Sequence, residues 1–260
     1  MPFHLCCSIT ETENIAQDQF SIVFDSVKLA DFVKAGQFLH IACGDALTLR
    51  RPISICDTDK SLVKVVFTVK GAGTRWLSLR KPGDMLDILG PLGNGFDMKG
   101  ENLLLIGGGA GVPPLLLAAR QAAALPQFES VTALLGFSDI GKAILLGDFA
   151  AACTSVEIAT DDGSLGRHGF VTDLLKYRLN TKRFDQILAC GPYNMLRIVS
   201  EIADEYDIPC QVSMEERMGC GIGACLTCSC KTKSAGKEKY SRVCADGPVF
   251  SSREVVWNEA

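Results

Sequence analysis

Residues 215 to 230 read EERMGCGIGACLTCSC, four cysteines and three glycines in sixteen residues. With the distant Cys244, the cysteines Cys220, Cys225 and Cys228 make the spacing Cys-x4-Cys-x2-Cys-x15-Cys. The first three positions reproduce the plant-type ferredoxin spacing, in which a tight loop wraps one face of a [2Fe-2S] cluster and a remote thiolate closes it. Gly219, Gly221 and Gly223, with Ala224, let the backbone curl around such a cluster and aim amide N–H groups at its sulfurs. Two other chemistries stay open on spacing alone. Structural zinc favours paired Cys-x2-Cys knuckles or a Cys/His mixture, and no histidine follows His168. A thioredoxin-like pair at Cys225 and Cys228 suits a strand-to-helix turn better than this glycine coil. Cys230 stands outside the Cys-x4-Cys-x2-Cys-x15-Cys spacing and is the expected non-ligand.

Two further segments suggest nucleotide chemistry. GGGAGVPP, from Gly107, follows an apolar run and opens an alanine- and leucine-rich stretch. That is a strand-to-helix turn, where amide donors and the helix dipole attract phosphate, and Pro113 or Pro114 suits a first helical turn. It is not the G-x-G-x-x-G fingerprint, and a purely structural glycine turn is the alternative. Earlier, RRPISI sets arginines beside a serine. It reads equally as a phosphate-binding strand or as a solvated edge strand with proline at an unpaired position.

The elements that must position these residues fall into three parts. From Phe3 to about Met98, runs rich in Val, Ile and Phe alternate with Gly, Asp and Pro turns, the pattern of a small antiparallel barrel or sandwich. After Gly100, apolar strands (NLLLIGGG, VTALLGF, VEIAT, QILACG) alternate with helical stretches, which predicts a parallel sheet covered on both sides. In the last helix, Met195, Ile198, Val199, Ile202 and Ala203 share a face. From about Pro209 the chain becomes cysteine- and glycine-rich, a module too small to be stabilised by apolar burial alone, so a bound inorganic centre helps to explain its fold.

Composition narrows the functions. The 260 residues are 47% apolar and 22% charged with net charge −4, without the concentrated basic surface that nucleic acid or anionic membranes require. The most apolar region is broken by glycines and prolines, so no membrane span is expected. The N-terminal residues lack a secretory pattern, and a cytoplasmic location is expected. Of the 12 cysteines, the eight outside the spacing motif are expected to be small buried hydrophobes. His4, His40 and His168 are expected to be satisfied surface or core histidines. Glu215 and Glu216 read as a solvated charged turn, and Asp161 and Asp162 as a turn or a ribose contact.

Taken in order, RRPISI, VVFTVKGAGTRWLS, DILGPLGNGF, GGGAGVPPL, DDGSLGRHGFVTDLL, CGPYNML and SMEERMGCGIGACLTC with VCADGPVF resemble the electron-transfer subunits of dihydroorotate dehydrogenase B. These belong to the wider ferredoxin reductase-like flavoproteins. The resemblance implies an FAD-binding β-barrel domain over 1–98, an NAD-binding α/β domain over 99–209 and a [2Fe-2S] domain over 210–260. It implies that Arg51, Pro52, Ile53 and Ser54 bind FAD, with Arg51 on the pyrophosphate and Ser54 near the isoalloxazine. Val66, Phe67 and Thr68 with Gly73 and Thr74 form the second FAD segment. The chain departs from the family there, where a Tyr-Arg pair is common at Phe67 and Thr68; Lys70 is the nearby basic group. Gly107, Gly108, Gly109 and Gly111 with Cys190, Gly191 and Pro192 line the nicotinamide nucleotide site, and Cys220, Cys225, Cys228 and Cys244 hold the cluster.

The three centres are chemically coherent. A nicotinamide exchanges a hydride and the cluster single electrons, and a flavin converts between them. The resemblance implies an oxidoreductase subunit of pyrimidine (UMP) biosynthesis. It would accept electrons from an FMN-containing catalytic subunit, in a heterotetramer of two copies of each chain, and reduce NAD+. Alternatives are a flavin and iron–sulfur subunit of a ferredoxin-NADP transhydrogenase or hydrogenase, and a non-catalytic sensor or zinc-stabilised module.

Overall fold

A computed structural model describes residues 2–257. Alternation of apolar and polar residues builds six strands in the first part: β1 (Phe3–Ala16), β2 (Gln19–Asp25), β3 (Phe38–Ile41), β4 (Arg51–Asp59), β5 (Leu62–Thr68) and β6 (Met85–Leu92). Short helices α1 (Val27–Ala30) and α2 (Ala72–Ser78) lie in the connections. The strands close into a barrel in the order β1-β2-β5-β4-β3-β6, with every neighbouring pair antiparallel. The 14 residues of β1 make closure possible: its first half pairs with β6 (Cys7 opposite Leu86) and its second half with β2, so no strand edge is left exposed. Ile22, Phe24, Leu39, Ile41, Ile55, Val65, Leu86 and Ile88 fill the interior.

The second part winds as β7 (Asn102–Gly108), α3 (Pro113–Ala123), β8 (Ser130–Phe137), α4 (Leu146–Ala152), β9 (Ser155–Thr160), β10 (Arg167–His168), α5 (Val171–Leu179), β11 (Gln186–Cys190), α6 (Tyr193–Glu205) and β12 (Cys210–Ser213). These strands are parallel, and their near-continuous apolar runs follow from burial on both faces. In β7, Leu103 and Leu105 share a core with α3 and the barrel, whereas Leu104 and Ile106 pack with α5 and α6. On α6 the buried residues are Leu196, Val199, Ser200, Ile202 and Ala203. The face is thus turned slightly from the expected one, because Met195 is drawn over the turns at Gly108 and Gly191.

The third part contains a hairpin, β13 (Ser229–Ser234) and β14 (Lys237–Arg242), and a last short strand, β15 (Val249–Ser251). The hairpin turn, Ala235-Gly236, has positive φ at both residues, the twist that suits a two-residue connection. The sheet order is β10-β9-β8-β7-β11-β12-β15, with β15 antiparallel to β12. A division at residue 209/210 therefore falls inside a packed unit: the short strand Cys210–Ser213 belongs to the central sheet, and β15 returns to extend it. Cysteine-rich composition begins just where this last parallel strand starts, which hides it from a reading of composition. No helix among the described residues is long and apolar enough to cross a membrane.

Candidate functional site

The four spaced cysteines come together. Cys220 and Cys225 lie on the outer side of the loop, while Cys228 and Cys244 are buried beneath it. Each sulfur accepts a backbone N–H. Ala224 and Cys225 donate to Cys220 Sγ at 3.3 and 3.4 Å, Cys220 to Cys225 Sγ at 3.4 Å, Cys244 to Cys228 Sγ at 3.4 Å, and Gly223 to Cys244 Sγ at 3.1 Å. The loop reaches this shape through φ of +72° at Gly221 and +82° at Gly223, conformations that glycine adopts without strain. Leu226 adopts φ of +61°, a strained value for a branched residue and a sign that the loop is over-determined by its surroundings.

Arg242, at the end of β14, locks the loop. Its guanidinium holds Asp246 through two bonds of 2.9 Å and donates to the Gly223 carbonyl at 3.1 Å. On the barrel side, the Asn94 side chain donates to the Asp246 carbonyl at 3.0 Å and its backbone N–H to the Gly247 carbonyl at 2.6 Å.

The donor chemistry fits a thiolate-bound cluster. Hydrogen bonds from the Thr227 side chain and backbone, and then from Cys220, hold the Cys225 thiol down at about 6. Burial and the neighbouring Cys228 push Cys244 up to about 12, a crowding that a bound cation relieves. No group of three or more His, Cys, Asp or Glu side chains among the described residues is placed to hold a single metal ion. The amide-to-sulfur contacts sort the four thiols into two pairs, Cys220 with Cys225 and Cys228 with Cys244, and a binuclear cluster divides its ligands in that way. Cys230 sits on β13 with its thiol pushed up to about 11 by burial, and it makes no such sulfur contact.

A cleft of about 340 Å³ opens between the barrel and the carboxyl ends of the parallel strands, within the size range of ligand sites. The barrel wall carries Pro52, Ile53 and Ser54 of β4, Val66, Phe67 and Thr68 of β5, and Thr74. The sheet wall carries Gly108 at the end of β7 with Gly111 beyond it, and Cys190 at the end of β11 with Gly191 and Pro192 beyond it. β7 and β11 are neighbours from which the chain winds to opposite sides, the topological switch point at which open α/β sheets bind ligands. The two turns interlock: a Cβ on Gly111 would lie 2.3 Å from the Cys190 carbonyl oxygen. Pro113 and Pro114 occupy the first turn of α3 and have no N–H. Amide donors for a phosphate must therefore come from the Gly109–Gly111 turn rather than from the helix.

Arg51, Gly73, Gly107 and Gly109 do not line this cleft. Arg51 packs over Gly73, where a Cβ would lie within 2.3 Å of Nε, and its guanidinium donates to the Leu49 carbonyl. The two barrel segments thus meet at the rim. Gly107 is buried beneath Val112 and Leu115. Thr74 also organises its own loop by accepting the N–H groups of Lys70 and Gly71.

Sequence reasoning missed Phe38, Ser213, Met214, Met218 and Pro248, all of which line the cleft. They come from four places in the chain, and none carries a local signal. Glu215 and Glu216 are exposed, as a solvated turn requires, but they also edge the cleft. Asp162 accepts the N–H and hydroxyl of Ser164, at 2.9 and 2.6 Å, in a turn. Cys6 is exposed rather than buried, because it alternates with Cys7 on β1. His4 is exposed and pairs with Asp87 at 2.6 Å. His40 departs from expectation most: it is buried, and neither ring nitrogen has a hydrogen-bond partner. Burial, then the charge of Arg50, pushes its pKa down to about 4.

Residues 215–256 match the family described as the iron–sulfur cluster binding domain of dihydroorotate dehydrogenase B. The chain is 39% identical over 249 residues to the dihydroorotate dehydrogenase B (NAD+) electron transfer subunit of Desulforamulus reducens, covering 94% of each chain. It is 38% identical to that of Shouchella clausii, covering 96% of each. Among solved structures, a chain of the NADH-dependent reduced ferredoxin-NADP oxidoreductase superposes with a TM-score of 0.85 at 32% identity, over 96% of this chain and 90% of that one. An Amycolatopsis cytochrome P450 reductase shares the fold, with a TM-score of 0.69 at 22% identity over 79% of this chain and 66% of that one. With 39% identity over 94% of both chains and the cluster-domain match over the four-thiol loop, the chain belongs to the family of dihydroorotate dehydrogenase B (NAD+) electron transfer subunits.

Proposed function

We propose that this chain takes single electrons at its four-thiol loop from a catalytic subunit that oxidises dihydroorotate, and delivers them across the cleft to NAD+. One observation carries the reading. Met218 lines the nucleotide cleft and stands two residues from Cys220, about 7 Å of extended chain. A cluster and a cleft-bound cofactor are then neighbours sharing a wall.

Bound FAD supplies the conversion between single electrons and hydride. The chain's own residues do the rest. Cys220, Cys225, Cys228 and Cys244 hold the [2Fe-2S] cluster, with the amides of Gly223, Ala224 and Cys225 directed at its thiolates. Arg51, Pro52, Ile53 and Ser54, with Val66, Phe67, Thr68, Gly73 and Thr74, hold FAD on the barrel side. Gly108, Gly109 and Gly111, with Cys190, Gly191 and Pro192, admit the nicotinamide nucleotide on the sheet side, while Gly107, buried behind them, lets Val112 and Leu115 pack close. We assign residues 1–98, 99–209 and 210–260 to these three tasks, with β12 and β15 serving the central sheet as well as the cluster region. The outer thiol pair is flanked by Ile222 and Leu226, 55% and 62% exposed, an apolar rim suited to docking the catalytic subunit. We take that subunit to carry FMN, in a cytoplasmic assembly of two copies of each chain.

The test uses anaerobically purified full-length protein. Flavin and cluster absorbance are expected to bleach together on NADH addition. The chain alone is expected to oxidise NADH with an artificial acceptor and leave dihydroorotate untouched; dihydroorotate oxidation by the pure single chain would refute the assignment. A second reading, the matching subunit of a ferredoxin-NADP transhydrogenase, is favoured by the 0.85 TM-score to such an enzyme. Copurification separates the two. A partner that reduces the cluster with dihydroorotate supports the first reading, and one that does so with NADPH supports the second.

A further inference from the structure

His40 is 1% exposed, and both of its ring nitrogens lack hydrogen-bond partners. Buried polar groups are rarely left so. On β3 its neighbours Leu39 and Ile41 point into the barrel core, so His40 projects from the opposite face. That face meets the cluster loop. A Cβ on Gly221 would fall 2.6 Å from His40 Nδ1 and 3.1 Å from Cε1. The ring lies beside the carbonyls of Cys220 and Arg50 without meeting hydrogen-bond geometry to either. The strand beneath is fixed: Arg50 donates to the His40 carbonyl at 3.3 Å, and to the Asp87 carbonyl and carboxylate at 3.0 and 2.8 Å. Phe38, two residues earlier on the same face, lines the nucleotide cleft, about 7 Å along the strand.

We propose that His40 is a positioning residue for the cluster: its unpartnered ring N–H closes onto the neighbouring Cys220 carbonyl when the cluster fills the loop, ties that loop to the barrel strand that lines the flavin cleft, and raises the cluster's reduction potential. The proposal rests on the cluster reading above. An imidazole carries at least one N–H in either protonation state. A donor dipole directed at a ligand's peptide stabilises the additional negative charge of the reduced cluster, because potential follows the hydrogen bonds and charge around the sulfurs.

The experiment is an EPR-monitored redox titration of full-length protein carrying FAD and cluster. It compares wild type with His40→Phe, close in volume without an N–H, and His40→Gln, which keeps one. His40→Phe is expected to shift the one-electron equilibrium about tenfold toward the oxidised cluster, about 59 mV for one electron, with FAD content retained. His40→Gln is expected to recover most of that shift. Independently, wild-type protein grown on isotopically labelled histidine is expected to show a nitrogen coupling to the reduced cluster in pulsed EPR, and this coupling is lost in His40→Gln. Should His40→Phe lose its fold or its cluster, the coupling decides alone. An unchanged potential in a loaded His40→Phe, or no histidine coupling in wild type, would overturn the role of His40. A wild-type protein that binds no iron or sulfide would overturn the cluster reading, a failure visible before any variant is made.

Discussion

Arg242 provides the sharpest test of how the cluster loop is held. Its bonds to Asp246 form an ion pair whose side chains are 39% and 40% exposed, so solvent screening makes the pair the weaker restraint. The bond to the Gly223 carbonyl is part-buried and, as a charge-assisted contact, is the stronger restraint. Gly223 also donates its N–H to Cys244 Sγ, so the residue that Arg242 anchors by its carbonyl is the one that reaches the buried thiol. Arg242→Ala therefore removes both restraints on the loop at once, a change of roughly thirtyfold. The assay is loss of visible cluster absorbance in the presence of an iron chelator, followed in time. Arg242→Ala is expected to lose its cluster roughly thirtyfold faster than wild type, with little change in flavin content or in the unfolding of the barrel. Arg242→Lys keeps the charge but not the planar fork and should fall between the two. Equal rates in wild type and Arg242→Ala would refute the reasoning, as would unfolding of the whole chain.

Cys244→Ser is expected to lower iron content and abolish the cluster spectrum. Cys230→Ser should retain iron and lose only about 1 kcal/mol for placing a hydroxyl where a thiol is buried, read by iron analysis and thermal unfolding. Gly111→Ala places a Cβ 2.3 Å from the Cys190 carbonyl oxygen and 2.4 Å from the Gly191 nitrogen; it should raise KM for NADH tenfold or more while FAD binding persists. Asp185 Oδ2 accepts the N–H groups of Glu101 and Asn102, both at 2.8 Å, and these bonds, that of Asn102 first, hold its pKa below the usual carboxylate value. Its contribution is therefore complete above the unfolded carboxylate pKa and is lost as pH falls through the lower folded value. Because the group is exposed, Asp185→Asn should cost only about 1 kcal/mol in urea unfolding at neutral pH, with the difference vanishing in acid.

The parts of the molecule that the sequence revealed are those encoded locally. The Cys-x4-Cys-x2-Cys spacing with Gly221 and Gly223 describes a loop whose ligands and turns lie within ten residues, and the periods of 2 and 3.6 residues separate barrel from α/β sheet. What escaped depends on contacts distant in sequence. Closure of the barrel, which the residues alone left open against a sandwich and which the resemblance supplied, rests on Cys7 pairing with Leu86 across the whole first part. Placement of Cys210–Ser213 in the sheet rests on Ile187 and Phe250 as neighbours. The cleft joins Phe38, Met218 and Pro248, which no window of sequence contains. His40 looked like one histidine among three because burial without a partner is a property of the assembled interface between β3 and the cluster loop.

That interface bears on how the centres are kept at a fixed separation. A small cysteine-rich module on a linker would let the cluster drift, and electron transfer would then wait on its return. Here the module has no separate core. Cys228, Val243 and Cys244 pack in one cluster with Phe38 and Leu92 of the barrel and with Ile106, Ile187 and Val212 of the sheet. The segment between β12 and β15 is closed at its base by the Met214 N–H donating to the Pro248 carbonyl at 2.8 Å, and Asn94 ties its far side to the barrel. Close packing of this kind transmits displacement rather than absorbing it. The distance between the four-thiol loop and the cleft is therefore set by the fold itself, and on the proposed reading the approach left adjustable is the one on the outer side, where Cys220 and Cys225 would meet the partner.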